Sequence, residues 1–121
     1  MIKRVAFFVA FYLAIGAGSL QALADEAHRM KPGETFSVSN KENPSTGYVW
    51  SIDASASAGL DLLAISDGGH EAGKSLPGAP GTHSWTIRAL EPGTATIQFV
   101  YKRPWEPAPA ETRRIVFKIS P

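Results

Sequence analysis

Cysteine is absent from all 121 residues. No disulfide can staple the fold, no thiol can act as a nucleophile, and every metal set that needs thiolates is excluded. Histidine is scarce: His28, His70 and His83 are the whole complement. None falls in a His-x-His or His-x-x-His spacing, so they read as solvated side chains rather than ligands, and no metal is expected. The nucleophile elbow G-x-S-x-G is missing, as are the dinucleotide fingerprint and the phosphate loop. Gly78-Ala79-Pro80-Gly81 is rich in glycine but lacks the Lys-Ser/Thr pair that a phosphate cradle requires. The acids are scattered over predicted turns instead of standing in pairs. These absences remove the common routes to catalysis, so the chain reads as a non-enzyme without a cofactor.

Charge of one sign is also lacking. Lys3 and Arg4 supply two of the 12 basic residues, and 11 acids leave the remainder of the chain close to neutral. No basic stripe or charge run argues for a nucleic-acid partner. There is no apolar run of bilayer length either. Residues 5–17 are apolar but fall short of the roughly 20 residues a membrane span needs. The run follows a short basic start and precedes Ala22-Leu23-Ala24, a small-x-small cleavage site. Residues 1–24 are therefore read as a secretory signal peptide. Residues 25–121 are read as one exported domain, periplasmic or secreted, with no membrane attachment after the leader is removed, and a monomer by default.

What is present is short alternation punctuated by Gly and Pro. Phe36 and Val38 alternate with serines. Tyr48, Trp50 and Ile52 share one face of a strand, and Leu60 and Leu62 suggest another. Trp85, Ile87 and Ala89 form the next set. Ala95, Ile97, Phe99 and Tyr101 follow, then Ile115, Phe117 and Ile119. Lys31-Pro32-Gly33-Glu34 and Glu91-Pro92-Gly93-Thr94 are plain turns. Residues 66–83, with five Gly and two Pro, read as one long exposed loop. This pattern predicts an all-β fold, an immunoglobulin-like antiparallel β-sandwich of about seven or eight strands without a disulfide.

Three loops have unusual chemistry. In Asn43-Pro44-Ser45-Thr46-Gly47, Pro44 fixes its own φ and restricts Asn43, while Gly47 is free to take positive φ. The hydroxyls of Ser45 and Thr46 stand at the tip. Residues 76–83 are stiffened by Pro77 and Pro80. In Arg103-Pro104-Trp105-Glu106, neither flanking strand pattern places Trp105. It is either a lid folded onto the sandwich or an exposed anchor of the kind that dominates binding hot spots. Arg103 has two open roles, loop support and direct contact. Counting strands puts all three loops at one end of the sandwich and the plain turns at the other. A binding face follows, of the kind a carbohydrate or another protein partner would use.

The run Asn43-Pro44-Ser45-Thr46-Gly47-Tyr48-Val49-Trp50, then Gly78-Ala79-Pro80-Gly81 with His83-x-Trp85, then Arg103-Pro104-Trp105-Glu106, resembles the chagasin-type inhibitors of papain-like cysteine peptidases. The likeness covers the chain from the strand at residue 36 to its end. It implies an immunoglobulin-like sandwich and reversible inhibition by a three-loop clamp. In that clamp residues 43–48 enter the catalytic cleft, with Thr46 near the thiolate, and residues 78–81 and 103–106 grip either side.

Overall fold

The alternation at residues 95–101 becomes the longest strand of the protein, and the rest of the fold is arranged around it. The computed structural model describes residues 25–73 and 79–121. The leader expected at residues 1–24, and Pro77 and Gly78 of the second loop, lie outside the described residues. Seven strands are present among those described: β1 (Glu26–Met30), β2 (Thr35–Glu42), β3 (Val49–Ile52), β4 (Leu63–Glu71), β5 (Gly81–Ala89), β6 (Gly93–Lys102) and β7 (Glu111–Ile119). They form two sheets, ordered β1-β7-β6-β3 and β2-β5-β4.

Period-2 alternation sends one face of each strand inward. Trp50, Ile97, Phe99, Ile115, Phe117 and Ile119 of the first sheet are buried together with Val38, Leu63, Trp85, Ile87 and Ala89 of the second. Phe36, Ile52, Leu60, Leu62 and Tyr101 pack half-buried around this centre. With no cysteine to help, this single apolar core carries the stability, at roughly 25 cal/mol for each Å² of apolar surface removed from water.

The structure differs from the sequence expectation in three places. Leu60 and Leu62 are not a strand. Gly59 takes φ 70° and a 3₁₀ turn covers Leu60–Leu62, so β4 starts one residue later with Leu63 inward. That short turn resets the phase of alternation. Residues 66–83 are not one loop. β4 continues to Glu71 and β5 begins at Gly81, with a bulge between Asp67 and Gly69. An edge strand with one face in water tolerates Ser, Asp and Gly, which is why this hairpin looks like a loop by composition. Finally, β1 pairs parallel to β7, from Glu26 opposite Ile115 to Met30 opposite Ile119, while all other pairs are antiparallel.

Register decides which loops meet. Glu42 at the end of β2 pairs with Gly81 at the start of β5. Val49 at the start of β3 pairs with Lys102 at the end of β6. Residues 43–48, 79–80 and 103–110 therefore leave the sandwich at one pole. At the other pole the Gly33 amide donates to the Ala89 carbonyl at 2.7 Å and the Leu90 amide to Leu62 at 2.9 Å.

Candidate functional site

The first loop is a 3₁₀ turn over Pro44–Thr46, with Pro in its first turn and Gly47 in the left-handed region at φ 88°. Pro suits this place because its missing N–H has no partner to lose. The Gly47 amide donates to Pro44 O at 2.9 Å. Asn43 O accepts from the Thr46 amide at 3.2 Å and from Thr46 Oγ1 at 2.7 Å. Ser45 Oγ donates to Asn43 Oδ1 at 2.6 Å. Both tip hydroxyls thus hold the turn in shape while Pro44, Ser45 and Thr46 remain exposed. At the base, the Asn43 amide donates to Tyr101 Oη at 3.1 Å and the Trp50 indole N–H to Lys41 O at 2.8 Å. Tyr48, Tyr101 and Trp50 stack behind it, with centroids 5.4 and 5.0 Å apart.

The third loop leans on the first. Trp105 is 70% exposed, the largest apolar side chain so displayed among the described residues. One edge of its ring rests on Gly47, where an added Cβ would come within 2.8 Å of Cη2. Arg103, open between two roles in the sequence, supports the loops. Its Nε donates to Thr46 O at 3.1 Å, and its guanidinium lies 4.5 Å from the Tyr48 centroid and 5.9 Å from that of Trp105. Its Nη1 is 3.5 Å from Glu106 Oε2. The Glu106 amide closes the turn around the exposed Pro104 by donating to Arg103 O at 3.0 Å. Lys102 Nζ reaches Glu106 O at 3.1 Å.

Of the second loop, Ala79 and Pro80 stand at the same pole, with Pro80 exposed. Gly81, expected as a loop residue, is instead a buried strand residue. A Cβ there would run into the Glu71 carbonyl and lie 2.7 Å from the His70 ring. Its missing side chain makes room for the group beneath the pole.

That group was not anticipated. Glu42 is 2% exposed. Its Oε2 accepts from the Trp50 amide at 2.7 Å and lies 2.8 Å from His83 Nδ1, while Oε1 lies 2.8 Å from His70 Nδ1. His83 Nε2 is 2.7 Å from Asp67 Oδ1. The His83 ring stacks on Trp85 at 4.1 Å with planes 9° apart. Neither His70 nor His83 is the solvated loop side chain expected, and His28 packs on Phe36 at 3.9 Å. The missed signal was the phase of alternation: Glu42 continues the inward series Phe36, Val38, Asn40, and His83 precedes inward Trp85.

Burial works against ionisation of Glu42, but the Trp50 amide, His83 and His70 outweigh it and hold the carboxyl below its usual range. Burial likewise opposes the Asp67 charge, and the Gly69 amide and His83 overcome it, lowering its pKa. For His83 burial disfavours the cation, yet Glu42 and Asp67 raise its pKa above the ordinary value. Ionised carboxylates only accept hydrogen bonds, so a ring with one at each nitrogen carries both protons. In its protonated form His83 is clamped between two anions. Among the described residues no group of three or more His, Asp or Glu is placed to hold a metal ion.

Several known proteins are similar to this chain in sequence and fold. Amoebiasin-2 of Entamoeba histolytica is 29% identical over 87 residues, covering 71% of this chain and 69% of that protein. The crystal structure of EhICP2, a cysteine protease inhibitor from Entamoeba histolytica, superposes with a TM-score of 0.64 at 29% identity, over 78% of this chain and 87% of the other. The solution structure of Amebosin gives a TM-score of 0.62 at 26% identity, over 78% and 88% of the two chains. PbICP-C, solved in complex with falcipain-2, shares the fold at 17% identity, with a TM-score of 0.57 over 80% and 88%. Residues 29–119 match the Chagasin family peptidase inhibitor I42, and the chain belongs to that family of inhibitors.

Proposed function

We propose that the chain is an exported, monomeric inhibitor of papain-like cysteine peptidases. The 43–48 turn fills the catalytic cleft, and residues 78–81 and 103–106 flank it. The observation that carries this reading is the pairing of an exposed, internally bonded turn with the exposed Trp105 lying against its Gly47. Family membership, and the relation to an inhibitor named for cysteine proteases, supply the class of target.

The physics favours occlusion over cleavage. Thiolate attack needs a carbonyl held about 3–3.5 Å away with aligned orbitals. In a 3₁₀ turn closed by Thr46 and Gly47 hydrogen bonds, the carbonyls of Asn43, Pro44 and Thr46 are engaged within the protein instead of being offered along an extended peptide. The turn is already ordered, so little conformational entropy is lost on docking. Trp105 adds flat apolar area with few rotatable bonds, a frequent source of binding energy. An interface near the standard size of about 1,600 Å² is expected.

Titration of a papain-family enzyme with residues 25–121 should give stoichiometric, reversible inhibition, with the inhibitor recovered uncut. Undiminished peptidase activity at micromolar inhibitor would end this reading.

A further inference from the structure

A buried carboxylate is costly unless every lone pair is met, so its place in a fold demands a reason. Glu42 ends β2, one residue before the turn at 43–47. Its oxygens meet the Trp50 amide of β3, His70 of β4 and His83 of β5. One carboxylate thus joins four strands from both sheets, directly beneath the loops. The bond to Trp50 closes the base of the first loop, and the histidines tie that base to the hairpin that carries the second. Gly81 leaves the space for this arrangement. A hydrophobic plug would seal the pole equally well; a charge-assisted network adds fixed direction.

We propose that Glu42 and His83 are positioning residues of the inhibitory pole, an ion pair that fixes the 43–48 turn against the β4–β5 hairpin and thereby makes tight binding depend on pH. The inference rests on the functional reading above.

The groups facing His83 are Glu42 from β2 and Asp67 and His70 from β4. Asn40, its partner across the ladder, brings Arg113 of β7, whose Nη1 donates to Asn40 Oδ1 at 2.7 Å and whose Nε pairs with Glu26 of β1 at 2.7 Å. β3 contributes the Trp50 amide, and β6 contributes Phe99 through Trp85. The sign follows from these partners. The raised pKa of His83 means its stabilisation is full below the ordinary imidazole value and fades as pH climbs through the folded value. The lowered carboxyls of Glu42 and Asp67 contribute above their ordinary values and lose this as pH falls through the folded ones. The network is complete in a mildly acidic window of roughly pH 4.5 to 6.5.

The test begins with the free protein. In a ¹H–¹⁵N titration from roughly pH 4 to 9, the amides of Thr46 and Gly47 and the Trp105 indole should shift with the midpoint of His83. If His83 titrates while those signals stay still, positioning is refuted, whatever the peptidase does. Asp67→Asn changes a side chain 58% exposed and outside the three loops. It should lower the His83 midpoint and lower, by the same amount, the pH at which inhibition weakens relative to the parent. A lowered midpoint with an unmoved inhibition profile overturns the proposal. Glu42→Gln should raise the inhibition constant about tenfold in mild acid and flatten its pH dependence. An unchanged constant and profile in a folded Glu42→Gln protein would also overturn it. A parent that fails to inhibit, yet whose loop signals follow His83, would refute the functional reading and leave the positioning intact.

Discussion

The two poles of the sandwich solve the same problem, turning the chain between strands, in different ways. At one pole the turn at residues 31–34 is held by the Lys31 amide on Glu34 Oε1 at 2.9 Å, and Gly93 packs against Leu62. These turns need only close, and simple chemistry suffices. At the other pole the turn at 43–47 spends two hydroxyls, a Pro and a left-handed Gly on one shape, and a charged network lies beneath it. Buried ions do not maximise stability. Among the described residues the buried charged side chain, Glu42, lies at that pole, where the chain spends stability on geometry.

Substitutions at matched places test that contrast. The largest effect is expected from Gly81→Ala, whose Cβ would strike the Glu71 carbonyl and the His70 ring. Overpacking of this kind should cost about 2–3 kcal/mol, measured by denaturant unfolding, and should weaken inhibition as well. Trp105→Ala should cost about 2 kcal/mol of binding to the peptidase while the melting temperature stays put, because the indole is a surface anchor and not a core residue. An unaltered inhibition constant would make Trp105 a bystander.

Two glycines give the sharpest comparison. Gly33 and Gly47 take φ of 92° and 88°, but a Cβ at Gly33 meets nothing within 4 Å whereas one at Gly47 meets Trp105. Alanine at either should cost about 1 kcal/mol of stability from backbone strain. Only Gly47→Ala should displace the indole and weaken inhibition; equal inhibition by both variants would erase the distinction between the poles. The smallest effect is expected for Pro44→Ala, about half a kcal/mol of stability through greater freedom of the unfolded chain. Its affinity loss should be a few-fold and appear in the association rate.

Much of the fold was legible because alternation is a local property. The inward series Trp85-x-Ile87-x-Ala89 and Ile97-x-Phe99 follow from the pleat alone, whatever they pack against. The parallel pairing of β1 was not legible, since Glu26–Met30 carries no alternating pattern and is a strand only because β7 offers an edge. The loop chemistry at 43–47 and 103–106 could be read from Pro, Gly and Trp. The network beneath could not, because composition places Glu and His at the surface. Only four strands converging on one carboxylate make its burial affordable.

The sequence by itself determined the local terms: which face of each alternating run turns inward, where Pro and Gly turn the chain, and how Pro44 and Gly47 restrict the backbone. The tertiary structure alone decided which loops meet, through the register of Glu42 with Gly81 and Val49 with Lys102, and it raised the pKa of His83. Backbone preference acts over a few residues, whereas ionisation answers to whatever charges the fold brings within a few ångströms.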